Sequence, residues 1–190
     1  DRLMIEMCCH GRELDGCLPT IKHILSESLN LTLEELDPIF SGDTVRYRLC
    51  QRPKYRLEHF TSALHASQET ISGDTALLFT DNAGNPYLVL SDGMGTGKNA
   101  AIESRMTTEL FRKFISGGIC GTAAIRMMNG LLLTKSPQET FATLDVARFD
   151  LDAGEMTMMK SGAAATLIRH GGKVSRISAT TFPLGLEPEG

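Results

Sequence analysis

Missing from this sequence, first, is any surplus of basic residues: 19 Lys and Arg stand against 23 Asp and Glu, for a formal net charge of −4. A nucleic-acid binder needs a cationic footprint to neutralise phosphates, so neither DNA nor RNA is expected as a partner. No apolar run approaches the ~18 residues of a membrane-spanning helix. Residues Asp1 to Glu6 also lack the basic start and apolar stretch of a secretion signal. The segment is therefore expected to be cytoplasmic and to make no membrane contact. It opens on Asp1 without an initiator Met and stops at Gly190 without an obvious terminal element, which suggests a piece of a longer protein whose anchor, if it has one, lies elsewhere.

Cysteine is scarce. Cys8, Cys9, Cys17, Cys50 and Cys120 are odd in number and irregularly spaced, which excludes a disulfide framework and fits a reducing compartment. Cys8-Cys9-His10 with Cys17 invites a zinc reading, yet the paired C-x₂-C knuckles of a structural site are absent. These thiols read instead as buried small apolar side chains. His10, His23, His59, His65 and His170 are scattered, with no Cys or Ser at motif spacing, so nucleophilic triads have no candidate base and the histidines read as structural or surface residues. There is no internal repeat and no low-complexity tract.

What is present is enough apolar material, 42% of 190 residues, for one substantial core, or one medium core with a small appended module. Residues 1–52 read as a small α/β segment: a strand near Leu3–Cys9, a helix near Leu18–Asn30 and a strand at Thr44–Cys50. In the last, Val45, Tyr47 and Leu49 alternate with Arg46, Arg48 and Cys50, the period of a half-buried strand. Pro53 then punctuates the chain. From residue 53 to 190 the pattern changes to hairpins around one helical block. Strands are expected at Tyr55–Leu64, Thr75–Thr80, Tyr87–Ser91, Thr143–Leu151, Glu155–Ser161, Ala165–His170 and Lys173–Ser178. Asp81-Asn82-Ala83-Gly84-Asn85, Asp152-Ala153-Gly154 and Gly171-Gly172 supply the turns. Such short connections join antiparallel neighbours, which excludes a parallel doubly wound sheet. Between the hairpins, Ile102, Met106, Leu110, Phe111, Phe114 and Ile115 recur at helical spacing until Gly117-Gly118, and a second helix at Thr122–Thr134 carries Ile125, Met128, Leu131 and Leu132 on one side. Both stripes read as core. Helices inserted among antiparallel hairpins suggest an α+β fold, a β-sandwich with helices packed outside it.

Chemistry is expected in one segment. Positions 74 and 92 are equidistant from Ala83, so a hairpin turning there delivers Asp74 and Asp92 together at its far end. Two adjacent carboxylates repel unless one takes up a proton or a cation bridges them. Oxygen donors alone favour Mg²⁺ or Mn²⁺ over Zn²⁺, and Gly93 lets the backbone come close enough for its carbonyl to join them. Asp and Gly are also ordinary turn residues, and on local pattern alone that reading stays open. A phosphate-binding loop is the rival for these residues, but Asp92 occupies the place of its first Gly and Asn99 that of its Ser or Thr. The dinucleotide pattern fails at Lys98. Asp81 and Asp152 fall in turns and Asp145 and Asp150 in a strand pattern, with no site role assigned.

Ser72-Gly73-Asp74, Leu-Ser-Asp-Gly-Met-Gly-Thr-Gly at 90–97, Ala-Thr-Leu-Asp-Val-Ala at 142–147, Met-Lys-Ser-Gly-Ala-Ala-Ala-Thr at 159–166 and Phe-Pro-Leu-Gly at 182–185 resemble the phosphatase domain of the stage II sporulation protein E family. The resemblance runs from Leu57 to Gly190. It implies a metal-dependent (PPM, type 2C-like) serine phosphatase built as an antiparallel β-sandwich flanked by helices. By that resemblance Asp92 bridges two Mn²⁺ or Mg²⁺ ions, Asp74 and the Gly93 carbonyl complete one of them, and an activated water attacks phosphorus without a phosphoenzyme. The implied partner is a phosphorylated anti-sigma-factor antagonist, whose dephosphorylation frees a sporulation sigma factor. Residues 1–52 would then be the end of a regulatory region, and the parent a membrane-anchored protein. The helices carrying Asn99, Ile102, Met106, Ile125 and Met128 match the family's regulatory switch. Further family aspartates and a hairpin or more of the sandwich do not appear before Gly190, so 53–190 is expected to be an incomplete domain that binds metal weakly and turns over little, unless a second copy supplies the missing strands in a homodimer. The alternative class is a non-enzymatic interaction or dimerisation module on a phosphatase-like fold.

Overall fold

The computed structural model of the chain describes residues 2–63, 71–95, 97–134 and 141–186. His65, Thr96 and the last residue of the expected Tyr55–Leu64 strand lie outside them. The chain divides into two compact units, one of Asp1–Arg56 with Leu151–Gly154, the other of Leu57–Asp150 with Glu155–Gly190.

The first unit is an antiparallel sheet of β1 (Met4–His10), β3 (Thr44–Gln51) and β2 (Leu33–Ser41), in that spatial order, with α1 (Leu18–Leu29) between β1 and β2 in the chain. A proline opens α1, where no amide donor is needed, and Asn30 closes it in the left-handed region at φ 52°. β2 has no counterpart in the sequence reading. Its alternation is broken by Asp37-Pro38, where the pairing with β3 slips between Leu36 and Ile39, because proline has no N–H for the ladder. Central position makes β3 more buried than alternation suggests: Arg48 and Cys50 are enclosed along with Val45, Tyr47 and Leu49, and Arg48 Nη2 donates to the Asp37 carbonyl at 3.2 Å. The expectation that the cysteines are buried holds for Cys50 alone. Cys8, Cys17 and Cys120 are exposed and Cys9 is half-buried, since they sit on an outer strand or just before helices rather than under a second layer.

Tyr47 donates its hydroxyl to the Asp15 carboxylate. That hydrogen bond first, then desolvation, pushes the phenol up to about 12. Because the folded state holds this proton more tightly, the associated stabilisation is complete below the ordinary phenol value of about 10 and is lost as pH rises through the raised one. Alkaline titration of phenolate absorbance is expected to show one of the three tyrosines ionising near pH 12, and Asp15→Asn to bring it back toward the ordinary value.

Residues 55–63 form no strand. Tyr55 gives its amide to the Leu151 carbonyl at 2.8 Å, its ring lies where a side chain on Gly154 would go, and Phe60 stands 93% exposed. A segment whose leading residue is engaged with a turn and whose aromatic faces water has no ladder to join.

In the second unit β4 (Asp74–Thr80), β5 (Pro86–Asp92), β6 (Leu144–Asp150) and β7 (Glu155–Ser161) form an antiparallel sheet in that order, and β8 (Thr166–His170) pairs with β9 (Lys173–Ile177). Between β5 and β6 run α2 (Gly97–Ser116) and α3 (Gly121–Thr134). The expected antiparallel α+β architecture is therefore present. Turn chemistry fixes the β4–β5 register: Asp81 Oδ1 accepts the amides of Ala83 and Asn85 at 2.9 and 2.8 Å, and Gly84 takes φ 77°.

One sheet face and the two helices close on a core of Tyr87, Val89, Phe111, Ile115, Ala124, Met128, Leu144, Val146 and Leu184. Phe79 stacks on Tyr87 at 5.2 Å and meets Phe111 edge-on at 6.4 Å. The apolar stripe of α2 is only partly core. Phe111 and Ile115 are buried, whereas Ile102 and Met106 are 45% and 51% exposed, as is Leu131 of α3 at 50%. Toward its N-terminus α2 buries Ala100, Ser104, Thr107 and Thr108 instead. The helix lies too close to the strands there for larger side chains, and Ser104 Oγ is 2.8 Å from Thr75 Oγ1. On the opposite sheet face Leu78 and Leu90 are 38% and 47% exposed, and Thr166, the first residue of β8, touches that face through Asp145 and Lys160.

Candidate functional site

Asp74 and Asp92 are direct cross-strand partners at the open end of the β4–β5 hairpin. Ser72 Oγ accepts the Asp74 amide at 3.1 Å and donates to its Oδ2 at 3.4 Å. On the other side Thr143 holds Asp92 twice, its Oγ1 accepting the Asp92 amide at 2.8 Å and its own amide donating to the Asp92 carbonyl at 3.0 Å. Ser91 Oγ donates to the Thr143 carbonyl at 2.7 Å, so the backbone on both sides of the carboxylate is fixed.

Partial desolvation first, then the charge of Asp74 and a hydrogen bond between the two groups, raise the Asp92 carboxyl above its ordinary range. Asp92 therefore holds its proton to higher pH than a lone aspartate does, the behaviour of a carboxylate held beside a like charge.

Gly93 follows at once and is clamped. Its amide donates to the Gly73 carbonyl at 3.2 Å, and it bridges to Ala142, which in turn bridges to Leu184. A Cβ on Gly93 would lie 2.0 Å from the Ala100 carbonyl oxygen and 2.7 Å from its carbon, so only glycine lets the first turn of α2 approach this closely. Gly73 faces the same turn, its virtual Cβ 3.0 Å from the Ala100 methyl.

The expected site residues thus fall into two groups. Asp74, Asp92 and Gly93 are brought together at one strand end. Asn99 lies near the start of α2, Ile102 and Met106 point to solvent, Ile125 is half-buried, and Met128 is fully buried under the sheet. Sequence reasoning missed Thr143, Ala100 and the Thr75–Ser104 contact, which depend on pairing across more than fifty residues or on small polar side chains without periodic signal. The Phe182-Pro183-Leu184-Gly185 segment is built into the same region: Ser161 Oγ donates to the Phe182 carbonyl at 2.8 Å, Leu184 donates to Ala142 at 3.0 Å, and Asn129 Oδ1 accepts the Gly185 amide at 2.8 Å.

Residues 82–190 match the family model of stage II sporulation protein E. Stage II sporulation protein E of Priestia megaterium is 34% identical over 185 residues, covering 95% of this chain and 31% of that protein. Its counterpart in Bacillus subtilis (strain 168) is 28% identical over 186 residues, covering 93% of this chain and 21% of that protein. The chain thus spans less than a third of either relative's length. Among solved structures, the PP2C phosphatase domain with a fragment of the regulatory domain of the cell fate determinant SpoIIE from Bacillus subtilis aligns with a TM-score of 0.64 at 27% identity, over 97% of this chain and 54% of that one.

Proposed function

The chain belongs to the stage II sporulation protein E family, and from that premise we propose that it supplies part of the catalytic centre of a metal-dependent protein serine phosphatase. The observation that carries this reading is the direct pairing of Asp74 with Asp92, beside a glycine on which no side chain fits.

The donor set suits a hard divalent cation: two carboxylates and a backbone carbonyl, all oxygen. Asp92 and Asp74, with the carbonyl of Gly93, are the residues that would hold Mn²⁺ or Mg²⁺. Among the described residues no group of three His, Cys, Asp or Glu side chains could hold an ion by itself, so this set is partial. A bound ion would acidify a water molecule and offset the negative charge of a phosphoryl group. The chain's own part is to present the carboxylates. Asp92 and Asp74 would offer their carboxylates side by side, Thr143 keeps the Asp92 backbone in place, and Gly93 keeps its carbonyl at the strand end.

The substrate is a phosphoserine on a small protein, in this family an anti-sigma-factor antagonist whose dephosphorylation frees a sporulation sigma factor. Asn99, Ile102 and Met106 on α2, with Ile125 and Met128 on α3, act as a switch. The contact between Gly93 and Ala100 makes any shift of α2 felt at the metal-facing carbonyl. The exposure of Ile102, Met106 and Leu131 supports a second reading, in which the outer face of these helices docks a partner or another copy and catalysis is dispensable.

Phosphoserine hydrolysis in added Mn²⁺ separates the two. With the relatives' full-length arrangement carrying these residues, turnover is expected from the wild type and not from Asp74→Asn. Equal turnover by both proteins would overturn the assignment, and a cellular role that survives Asp74→Asn would favour the docking reading.

A further inference from the structure

Asp145 on β6 and Lys160 on β7 are cross-strand partners, with side chains 14% and 5% exposed. Lys160 Nζ bonds Asp145 Oδ2 and donates to Thr166 Oγ1 at 2.8 Å, and Thr166 Oγ1 donates to the same Asp145 oxygen at 2.9 Å. Oδ2 is thus engaged twice. Oδ1 is buried and has no hydrogen-bond partner. An enclosed ion pair is generally no more stabilising than an apolar pair of equal volume, and a buried carboxylate oxygen without a donor is unfavourable. Fold stability alone therefore gives poor reason for this arrangement.

Its position gives a better one. Leu90 pairs with Asp145 and Gly93 with Ala142, so the register places Asp92 opposite Thr143. Asp92, Leu90, Asp145 and Lys160 then share the sheet face turned away from the helices. Asp145 is the diagonal neighbour of Asp92, a relation that places backbones about 7–8 Å apart. Among the described residues no three acidic side chains come close enough to hold one ion together, so contact through one intervening water suits this spacing.

We infer that Asp145, oriented by Lys160 and Thr166, is a positioning residue for the cation site, its Oδ1 accepting a hydrogen bond from a water in the hydration shell of the ion held by Asp74 and Asp92. The inference rests on the two-carboxylate reading of the site. Lys160 pairs with Asp145 and balances its charge, so the acceptor is added without further repulsion of Asp92. Partners of this outer kind typically change metal affinity about 10–100-fold when removed.

The test is Mn²⁺ titration followed by the spin-resonance signal of free Mn²⁺, with melting curves recorded on the same proteins. The variants are Asp145→Leu combined with Lys160→Met, Thr166→Val, and Asp92→Asn. The double variant removes a neutral pair and replaces it with apolar volume, so it is expected to fold and to weaken Mn²⁺ binding about 10-fold. Thr166→Val, which only loosens the orientation of Asp145, is expected to weaken binding by a smaller factor. A purely structural role would move the melting temperature and leave affinity alone. A double variant that folds and binds Mn²⁺ like the wild type overturns the inference. If it does not fold, wild-type affinity in Thr166→Val does so. When binding is unchanged in Asp92→Asn as well, the two-carboxylate reading is what fails.

Discussion

Asp92→Asn is expected to abolish Mn²⁺-dependent hydrolysis in the complete enzyme while making the metal-free chain more heat-stable above the pH at which Asp92 ionises. The two effects share one cause. Asp92 stands directly across from Asp74, and desolvation, then the charge of Asp74, raise its pKa. A carboxyl whose folded-state pKa is raised contributes stability that is fully present below the ordinary carboxylate value and is lost as pH rises through the raised one. Above that raised value the contribution is gone, and the Asp92 carboxylate faces Asp74 across the strands. Asn keeps the shape and removes the repulsion. The pair is open to solvent, which limits the gain to a rise in melting temperature of about 2–4 °C. Activity moves the other way. Loss of the oxygen ligand proposed here has a larger effect than loss of an outer partner, so turnover is expected to fall by well over 100-fold. Differential scanning calorimetry with and without Mn²⁺, beside the hydrolysis assay, reads both. Added Mn²⁺ is expected to raise the melting temperature of the wild type and leave that of Asp92→Asn unmoved.

Gly93→Ala is the second large effect. The added methyl would meet the Ala100 carbonyl oxygen at 2.0 Å, its carbon at 2.7 Å and its Cα at 2.9 Å. All three are backbone atoms of one helical turn, so no rotamer change relieves the overlap. Either the β5 end or the start of α2 must move. Overpacking of this kind costs about 1–3 kcal/mol, equivalent for a chain of this length to a loss of roughly 2–12 °C in melting temperature. Displacement of α2 also breaks the Thr75–Ser104 contact beside Asp74, so metal affinity is expected to fall with stability. Gly73→Ala meets the Ala100 methyl at 3.0 Å and the Gly93 carbonyl oxygen and Asp92 Oδ1 only at ordinary contact distances of 3.7 and 4.0 Å, and serves as the mild control. A Gly93→Ala protein with wild-type melting temperature and wild-type Mn²⁺ affinity would separate α2 from the site and remove the physical basis of the switch.

The hairpin was legible in sequence because its turn is over-determined. Asp81 captures two amides of its own loop, and once that loop centres on Ala83 the pairing of residue 74 with residue 92 follows by counting. The helical block was legible as helix but not as an interface. Hydrophobic periodicity put Ile102 and Met106 in the core, whereas α2 lies closest to the sheet where its buried residues are Ala100, Ser104, Thr107 and Thr108. Close approach selects small side chains, and small polar side chains carry no periodic signal. β2 was hidden for a related reason, since Asp37-Pro38 interrupts its alternation at the bulge. Asp145 read as an ordinary strand residue because its significance lies in Lys160, Thr166 and the neighbouring Asp92, which only the strand register assembles.

The most direct measurement is an Mn²⁺ titration of the present chain and its Asp92→Asn variant under identical conditions. With two carboxylates and a carbonyl as the available donors, the wild type is expected to bind weakly, with half-saturation in the millimolar range or just below, and the variant not at all. Binding of equal strength in both proteins would show that the ion sits elsewhere and would contradict the assignment of Asp74, Asp92 and Gly93 as the metal-holding end of the hairpin.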